Sequence, residues 1–259
     1  MRSRDRFAAL IAHEFRRARR SAWNRLLYSA IAVGVTLFVT RAFDFAYLLS
    51  ARPEANGSEQ AIPGQAVMWG LIMLVFLGYS TFDEYAHRTW ARLEVSGAAP
   101  REIIGSKLIV TAVSQTLHVV ALYAIGIVAF GLKVRGSWSA LGLLILLIAA
   151  VTTSFGVLGI ALMRTEAAFT VWCWIGALGM TALGGGLAPY DFLPGWARAV
   201  SPVAPTYWIF RTSQELLLDG ATAADVAWRL AVIAAFAMGF AAAGAIAFDP
   251  HRSLRSTGL

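Results

Sequence analysis

The stretch GSWSALGLLILLIAAVTTSFGVLGIALM, residues 136–163, contains no Asp, Glu, Lys or Arg. A helix crosses bilayer hydrocarbon with about 20 apolar residues, and this run is longer than that and has no polar face for water to wet. Four further runs share the property: 60–82, 108–132, 167–190 and 230–248. A sixth, 26–40, is shorter. It is followed by Arg41 and Asp44 and then by apolar residues 45–51, so the helix continues if Arg41 snorkels to the interface. The expectation is an all-α membrane protein with six transmembrane helices.

Composition agrees. The 259 residues are 58% hydrophobic and only 14% charged, against about 25% charged in a soluble domain, and mean hydropathy is +0.62. No segment between the runs is long enough to form a soluble domain. The net charge of +7 raises nucleic-acid binding as an option, but the cations sit at the ends of apolar runs, as membrane topology requires. Cys173 is the single cysteine and lies inside an apolar run; it forms no intrachain disulfide and reads as a small packing residue. The basic-then-apolar start reads as a retained first span, because no small-residue cleavage site ends it.

Orientation follows from the loops. With the N-terminus on the cytoplasmic side, 15 Lys and Arg fall inside and 7 outside. Residues 1–25, 83–107 and 249–259 are then cytoplasmic, in a cell membrane. Single cysteines at Ser58 and Ser213, in a Cys173→Ser background, should be reachable from outside, and one at Ser96 should not.

Within Arg6–Arg20, Phe7, Leu10, Ile11 and Phe15 recur at helical spacing while Arg16, Arg17, Arg19 and Arg20 point elsewhere. This reads as an N-terminal amphipathic helix in the interface, or as a topogenic positive cluster; the two are compatible. Between spans five and six, residues 188–222 are too broken by proline to span and too apolar for a solvated loop. Short re-entrant or interfacial helices fit, with Trp196, Tyr207, Trp208 and Phe210 at headgroup depth, Gly220 ending the second helix, and Thr222 and Asp225 forming a capping box for the last span. Ala235, Gly239 and Ala243 offer a small-residue packing face on that span.

Catalytic signals are weak. There is no Gly-x4-Gly-Lys-[Ser/Thr] loop, the usual phosphate cradle. Leu183-Gly-Gly-Gly-Leu187 faintly resembles a nucleotide-contacting signature but sits at a span end, where a packing or helix-ending role is favoured. Ser114 and His118 lie one turn apart with no third group to orient the imidazole, so an interhelical polar pair is favoured over an intramembrane enzyme. Glu166 beside Arg164 reads as an interfacial ion pair. No acid lies mid-span, which weighs against a proton-driven secondary transporter. No catalytic residue and no metal site is expected.

Residues 83–107 read DEYAHRTWARLEVSGAAPREIIGSK. Glu84, Thr89, Leu93, Ser96, Ile103 and Lys107 stand at the spacing of the corresponding loop in ABC-2 type export permeases, which this loop resembles; Arg88, Gly97 and Ser106 replace the usual Gly, Pro and Gly. Gly185–Pro189, Leu193-Pro194-Gly-Trp196, Ser201–Pro205 and Tyr207 resemble the same family's pattern before the last span. The resemblance covers nearly the whole chain as one transmembrane domain, 1–259. It implies the membrane subunit of an ABC exporter, closest to the drug-export branch, with export of a lipid-linked glycan or lipid as the alternative. It further implies a second permease subunit and two cytosolic ATPase subunits that bind ATP and Mg, none being bound by this chain.

The 83–107 loop is then the expected coupling element. A short helix over 84–95 would pack Tyr85, Trp90 and Leu93 and present Glu84, Arg88, Arg92 and Glu94. Gly97 would end it, and Pro100 would keep it from running straight into span three. Phe76, Tyr79, Phe82, Phe169, Trp172 and Trp174 are candidate pathway residues for hydrophobic cargo, though packing against lipid or neighbouring helices suits them equally. Pro189, Leu193, Pro194, Trp196, Pro205 and Tyr207 mark the outer segment.

Overall fold

The computed structural model describes residues 3–48, 56–87, 89–188 and 190–249. Among these there are twelve α-helices, short π and 3-10 turns, and no strand. Six helical stretches are long and apolar enough to cross a membrane: Ala22–Phe45, Ser58–Ala86, Pro100–Ala129, Trp138–Leu162, Glu166–Gly184 and Ala223–Ala247. The all-α, six-span expectation therefore holds. Inside hydrocarbon a chain must satisfy its backbone polar groups locally, which helices do.

The first span, α2 (Ala22–Leu48), runs on through Arg41 and Asp44. Those two pair at 3.6 Å one turn apart, and Asp44 also accepts the Gly57 N–H at 2.7 Å, which turns the chain into span two. That span is α3 (Ser58–Met73) and α4 (Val75–Ala86), joined at Leu74. Every residue from Ser58 to Ile72 is buried, so α3 is the central post of the bundle, packed by α2, α6 (Pro100–Ala129), α7 (Trp138–Leu162) and α11 (Pro205–Leu217). Several of its polar groups are paired within the protein: Gln65 accepts from Trp69 Nε1 at 2.8 Å, and Gln115 of α6 donates to the Gly70 carbonyl at 2.6 Å. Ser58 and Ser213 are both fully buried, so neither serves as a labelling position, whereas Ser96 is exposed.

Span five is α8 (Glu166–Ile175), a π turn at Gly176–Met180 and α9 (Thr181–Gly184). The chain then folds back through a 3-10 turn at Tyr190–Phe192, α10 (Gly195–Val200), another at Ser201–Val203, and α11. The glycine run 184–186 is a packing device. A Cβ on Gly184 would meet Thr206 Oγ1 at 2.5 Å, Gly185 has φ +90°, and a Cβ on Gly186 would enter the Phe210 ring. Phe210 is thereby a core residue rather than a headgroup-zone one. Trp196 is exposed, as expected, and Tyr207 and Trp208 are half-buried and in ring contact. Gly220 takes φ +72° beyond α11, and Thr222 and Asp225 form the capping box of α12 (Ala223–Ala247).

α12 packs on α7 through Val226, Leu230, Ile233, Ala237 and Gly244, a seam spaced by three, four and seven residues. Ala235, Gly239 and Ala243 lie on the exposed side and touch none of the described helices closely. The expected small-residue face is thus displaced to Gly244, where a Cβ would sit 3.0 Å from the Leu158 amide nitrogen.

The spans alternate, so the described chain starts and finishes at one end of the bundle. α1 (Ser3–Arg20) lies there, and Phe248 packs with Trp90, Ala98 and Ile103 of the α4–α6 corner. We call this the basic end.

Candidate functional site

The 83–107 segment is built by local rules. α4 ends at Ala86 with His87 as its C-cap, and α5 (Thr89–Val95) follows; Arg88 lies outside the described residues. The 84–95 helix is thus two pieces, not one. α5 closes as a Schellman turn: Gly97, at φ +85°, gives its N–H to the Glu94 carbonyl at 2.9 Å, and Ala98 gives its own to Leu93 at 3.2 Å. Pro100 then opens α6, and the Glu102 carboxylate accepts the Ala99 N–H at 3.1 Å. Gly97 and Pro100 act as the sequence implies.

Tyr85 and Trp90 stack at 4.5 Å with an 18° interplanar angle. Trp90, Ala98 and Ile103 form a small core against which Leu10 of α1 and Leu93 pack. Trp90 Nε1 donates to Glu94 at 3.0 Å, so Glu94 is engaged within its own helix. Arg92 is exposed. It borders a cleft of about 950 Å3 between α1 and α5, lined also by Arg16, Arg20, His13 and His87.

Beneath that cleft lies a charge cluster. Lys107 of α6 is 1% exposed. Its Nζ donates to Glu14 of α1 and to Glu84 of α4, both at 2.7 Å, and to the Ser80 carbonyl at 3.1 Å. Arg17, one turn beyond Glu14, reaches Asp83 at 2.6 Å and Glu84 at 3.2 Å. Three elements are therefore tied at the corner they share by the buried Lys107 and the part-exposed Arg17. Removing one member of such a set costs about 3–5 kcal/mol, because it strands its partners in a poorly solvated site. Glu84, expected to be presented to a partner, is instead 4% exposed and internal.

Glu14 and Lys107 as a pair escape a reading of the sequence, since 93 residues separate them. One signal was available: with Phe7, Leu10 and Arg17, Glu14 falls on a single face of α1, at spacings of three and four. Phe7 rests against Gly105. Phe15, expected on the apolar face, is 38% exposed.

The pathway candidates divide. Phe82 and Phe169 are fully buried, their rings 6.0 Å apart, and Trp172 stacks on Phe155 at 4.6 Å. Phe76 packs edge-on to Tyr28 and Tyr79. Tyr79 and Trp174 are 43% and 42% exposed. Ser114 and His118 do not pair: Ser114 donates to the Val110 carbonyl at 2.7 Å and accepts from Arg25 at 3.0 Å. No ion pair joins Arg164 to Glu166 among the described residues; Glu166 lines a cavity instead. No group of His, Cys, Asp and Glu fit to hold a metal occurs among them.

At the other end, Leu193 is half-buried, Pro194 caps α10, and Pro205 opens α11. Tyr190 and Tyr207 lie 5.5 Å apart with Arg211 over both rings. Pro189 lies outside the described residues.

The sequence model of the ABC-2 type transporter family matches residues 6–218, from α1 to the end of α11. The chain belongs to this family. No curated protein and no solved structure matches it. As an ABC-2 permease it is a multi-pass transmembrane subunit of an ABC transporter, a class whose partner is an ABC ATPase. In that light the basic end, with an exposed cleft over a buried charge cluster joining spans two and three, is the site of interest.

Proposed function

We propose that this chain is the membrane half of an ATP-driven exporter that moves hydrophobic or amphipathic, drug-like compounds out of the cell. The basic end faces the cytosol, since Lys and Arg concentrate there, and both termini lie on that side of the plasma or inner membrane. A second permease subunit completes the pathway. Two cytosolic ATPase subunits, which bind the ATP and Mg, dock at the α1–α5 cleft.

The observation that carries this reading is the Lys107 cluster. A push on α5 or α1 passes to α4 and α6, and so to spans two and three, because Glu14, Glu84 and Lys107 are locked at 2.7 Å. Arg92 is the exposed group of α5 best placed to meet the ATPase, and Leu93 seats α5 on the bundle. Export of a lipid or lipid-linked glycan is the second reading, favoured by the cavity beside the half-exposed Tyr79 at the basic end.

The test is Arg92→Glu in the co-expressed complex. The variant should insert and retain its ATPase, while ATP hydrolysis no longer drives efflux of a hydrophobic dye. Wild-type efflux with the ATPase bound refutes the coupling role.

A further inference from the structure

A cavity of about 410 Å3 lies between α1, α2, α4, α6 and the start of α8. Six charged side chains line it: Glu14, Arg17, Arg25, Asp83, Lys107 and Glu166. Four are matched, Lys107 with Glu14 at 2.7 Å and Arg17 with Asp83 at 2.6 Å. The other two have no ion-pair partner among the described residues. Arg25 donates one Nη to Ser114 at 3.0 Å and lies 5.3 Å over the Phe76 ring, while its Nε is buried with no partner. Glu166, the first residue of α8, forms none of the ion pairs. Among the described residues Arg25 therefore has no carboxylate within ion-pair distance, Glu14 of the neighbouring cluster acting on it only from farther off, and Glu166 has no cation within that distance; the two do not pair with each other.

We propose that this cavity binds the headgroup of a zwitterionic membrane phospholipid with a primary amine, its phosphate against Arg25 and its ammonium toward Glu166. A simple anion would leave Glu166 uncompensated, and a simple cation would leave Arg25 so. The guanidinium suits phosphate because it offers several N–H donors in a planar fork. The carboxylate selects an amine with N–H groups over a quaternary ammonium, which has none to donate. A concave site of a few hundred Å3 is the size of a small-ligand pocket; here its lining is largely charged, with Phe76 and Tyr79 as the aromatic wall and Tyr28 edge-on behind Phe76.

The acyl chains have a track. From Asn24 at the cavity, the same face of α2 carries Leu27, Ile31 and Phe38, at spacings of three, seven and fourteen, and they are 51%, 45% and 76% exposed. That stripe leads from the headgroup cavity toward the middle of the span. The site sits in the leaflet at the basic end and holds whether or not its occupant is cargo, so it stands apart from the export reading.

The experiment uses the full-length chain, delipidated in detergent and titrated with phosphatidylethanolamine, phosphatidylcholine or phosphatidylglycerol, with bound lipid counted by native mass spectrometry. Phosphatidylethanolamine should be retained over both others by about tenfold, the scale of one charge-assisted hydrogen bond. Arg25→Gln should reduce its retention by a similar factor. Glu166→Gln should abolish the preference over phosphatidylglycerol while leaving thermal unfolding unchanged. Equal retention of the three lipids, a preference for phosphatidylglycerol or phosphatidylcholine, or an unaltered preference in Glu166→Gln would overturn the assignment. No ATPase takes part, so failure here leaves the export reading untouched, and the reverse also holds.

Discussion

The two ends of the bundle are held by different physics. At the basic end long charged side chains reach across gaps, so that Lys107 bridges two helices through flexible methylenes. At the far end the contacts are short and made by small groups. Ser201 gives its hydroxyl to the Leu183 carbonyl at 2.6 Å, Thr206 gives its own to Met180, and Gln60 donates to Gly185. Glycines let these backbones approach. Ion pairs among several carboxylates and cations can exchange partners as helices shift, whereas close-packed glycine contacts have one arrangement.

The largest test of the contrast is Lys107→Met. It leaves Glu14 and Glu84 buried together without their buried cation, Arg17 at 3.2 Å from Glu84 alone remaining, and stability in detergent should fall by about 3–5 kcal/mol. Adding Glu14→Gln and Glu84→Gln should restore most of it, because the stranded charges are then gone. Thermal unfolding followed by tryptophan fluorescence reads both. If the single variant matched wild type, the cluster would hold nothing together.

At the far end the matching test is Gly186→Ala. Its new methyl enters the Phe210 ring, and overpacking of this kind costs about 1–3 kcal/mol. Phe210→Leu should relieve part of that cost in the double variant, giving a coupling of about 0.5 kcal/mol or more. No change of charge should rescue it. Additive behaviour would show that the glycine run does not pack as described.

A smaller effect should come from Ser201→Ala, which removes one hydroxyl donor to Leu183 and should cost about 1 kcal/mol. The surface change Arg92→Glu should cost less than about 0.5 kcal/mol while still uncoupling transport. A loss of fold in Arg92→Glu would mean that α5 is held by that arginine rather than by Trp90 and Leu93.

Much of the fold was legible because its causes are local. Gly97, Pro100, Thr222 and Asp225 act on their own backbone within a turn, and each does what its residue type dictates. The candidate site was legible only in part. The segment 83–107 could be picked out as the charged corner, and Tyr85, Trp90 and Leu93 as its packing face, from helical spacing. That Glu84 faces inward, and that Phe210 leaves the headgroup zone for the core, depend on partners far away in the chain: Lys107 for the first, Gly186 for the second.

The sequence by itself determined the number of spans, their approximate ends and the family. A bilayer demands about 20 apolar residues per helix and leaves no other way to satisfy the backbone, and both requirements are written in consecutive residues. Only the tertiary structure decided which charges are buried and which stay open. A lysine at the mouth of a span reads like any interfacial cation until α1 folds back and brings Glu14 to within 2.7 Å of it. Among the six charges lining the cavity between α1, α2, α4, α6 and α8, Arg25 and Glu166 are set apart only by having no described partner within ion-pair distance. Pairing is a matter of three-dimensional distance, and hydropathy along the chain carries no record of it.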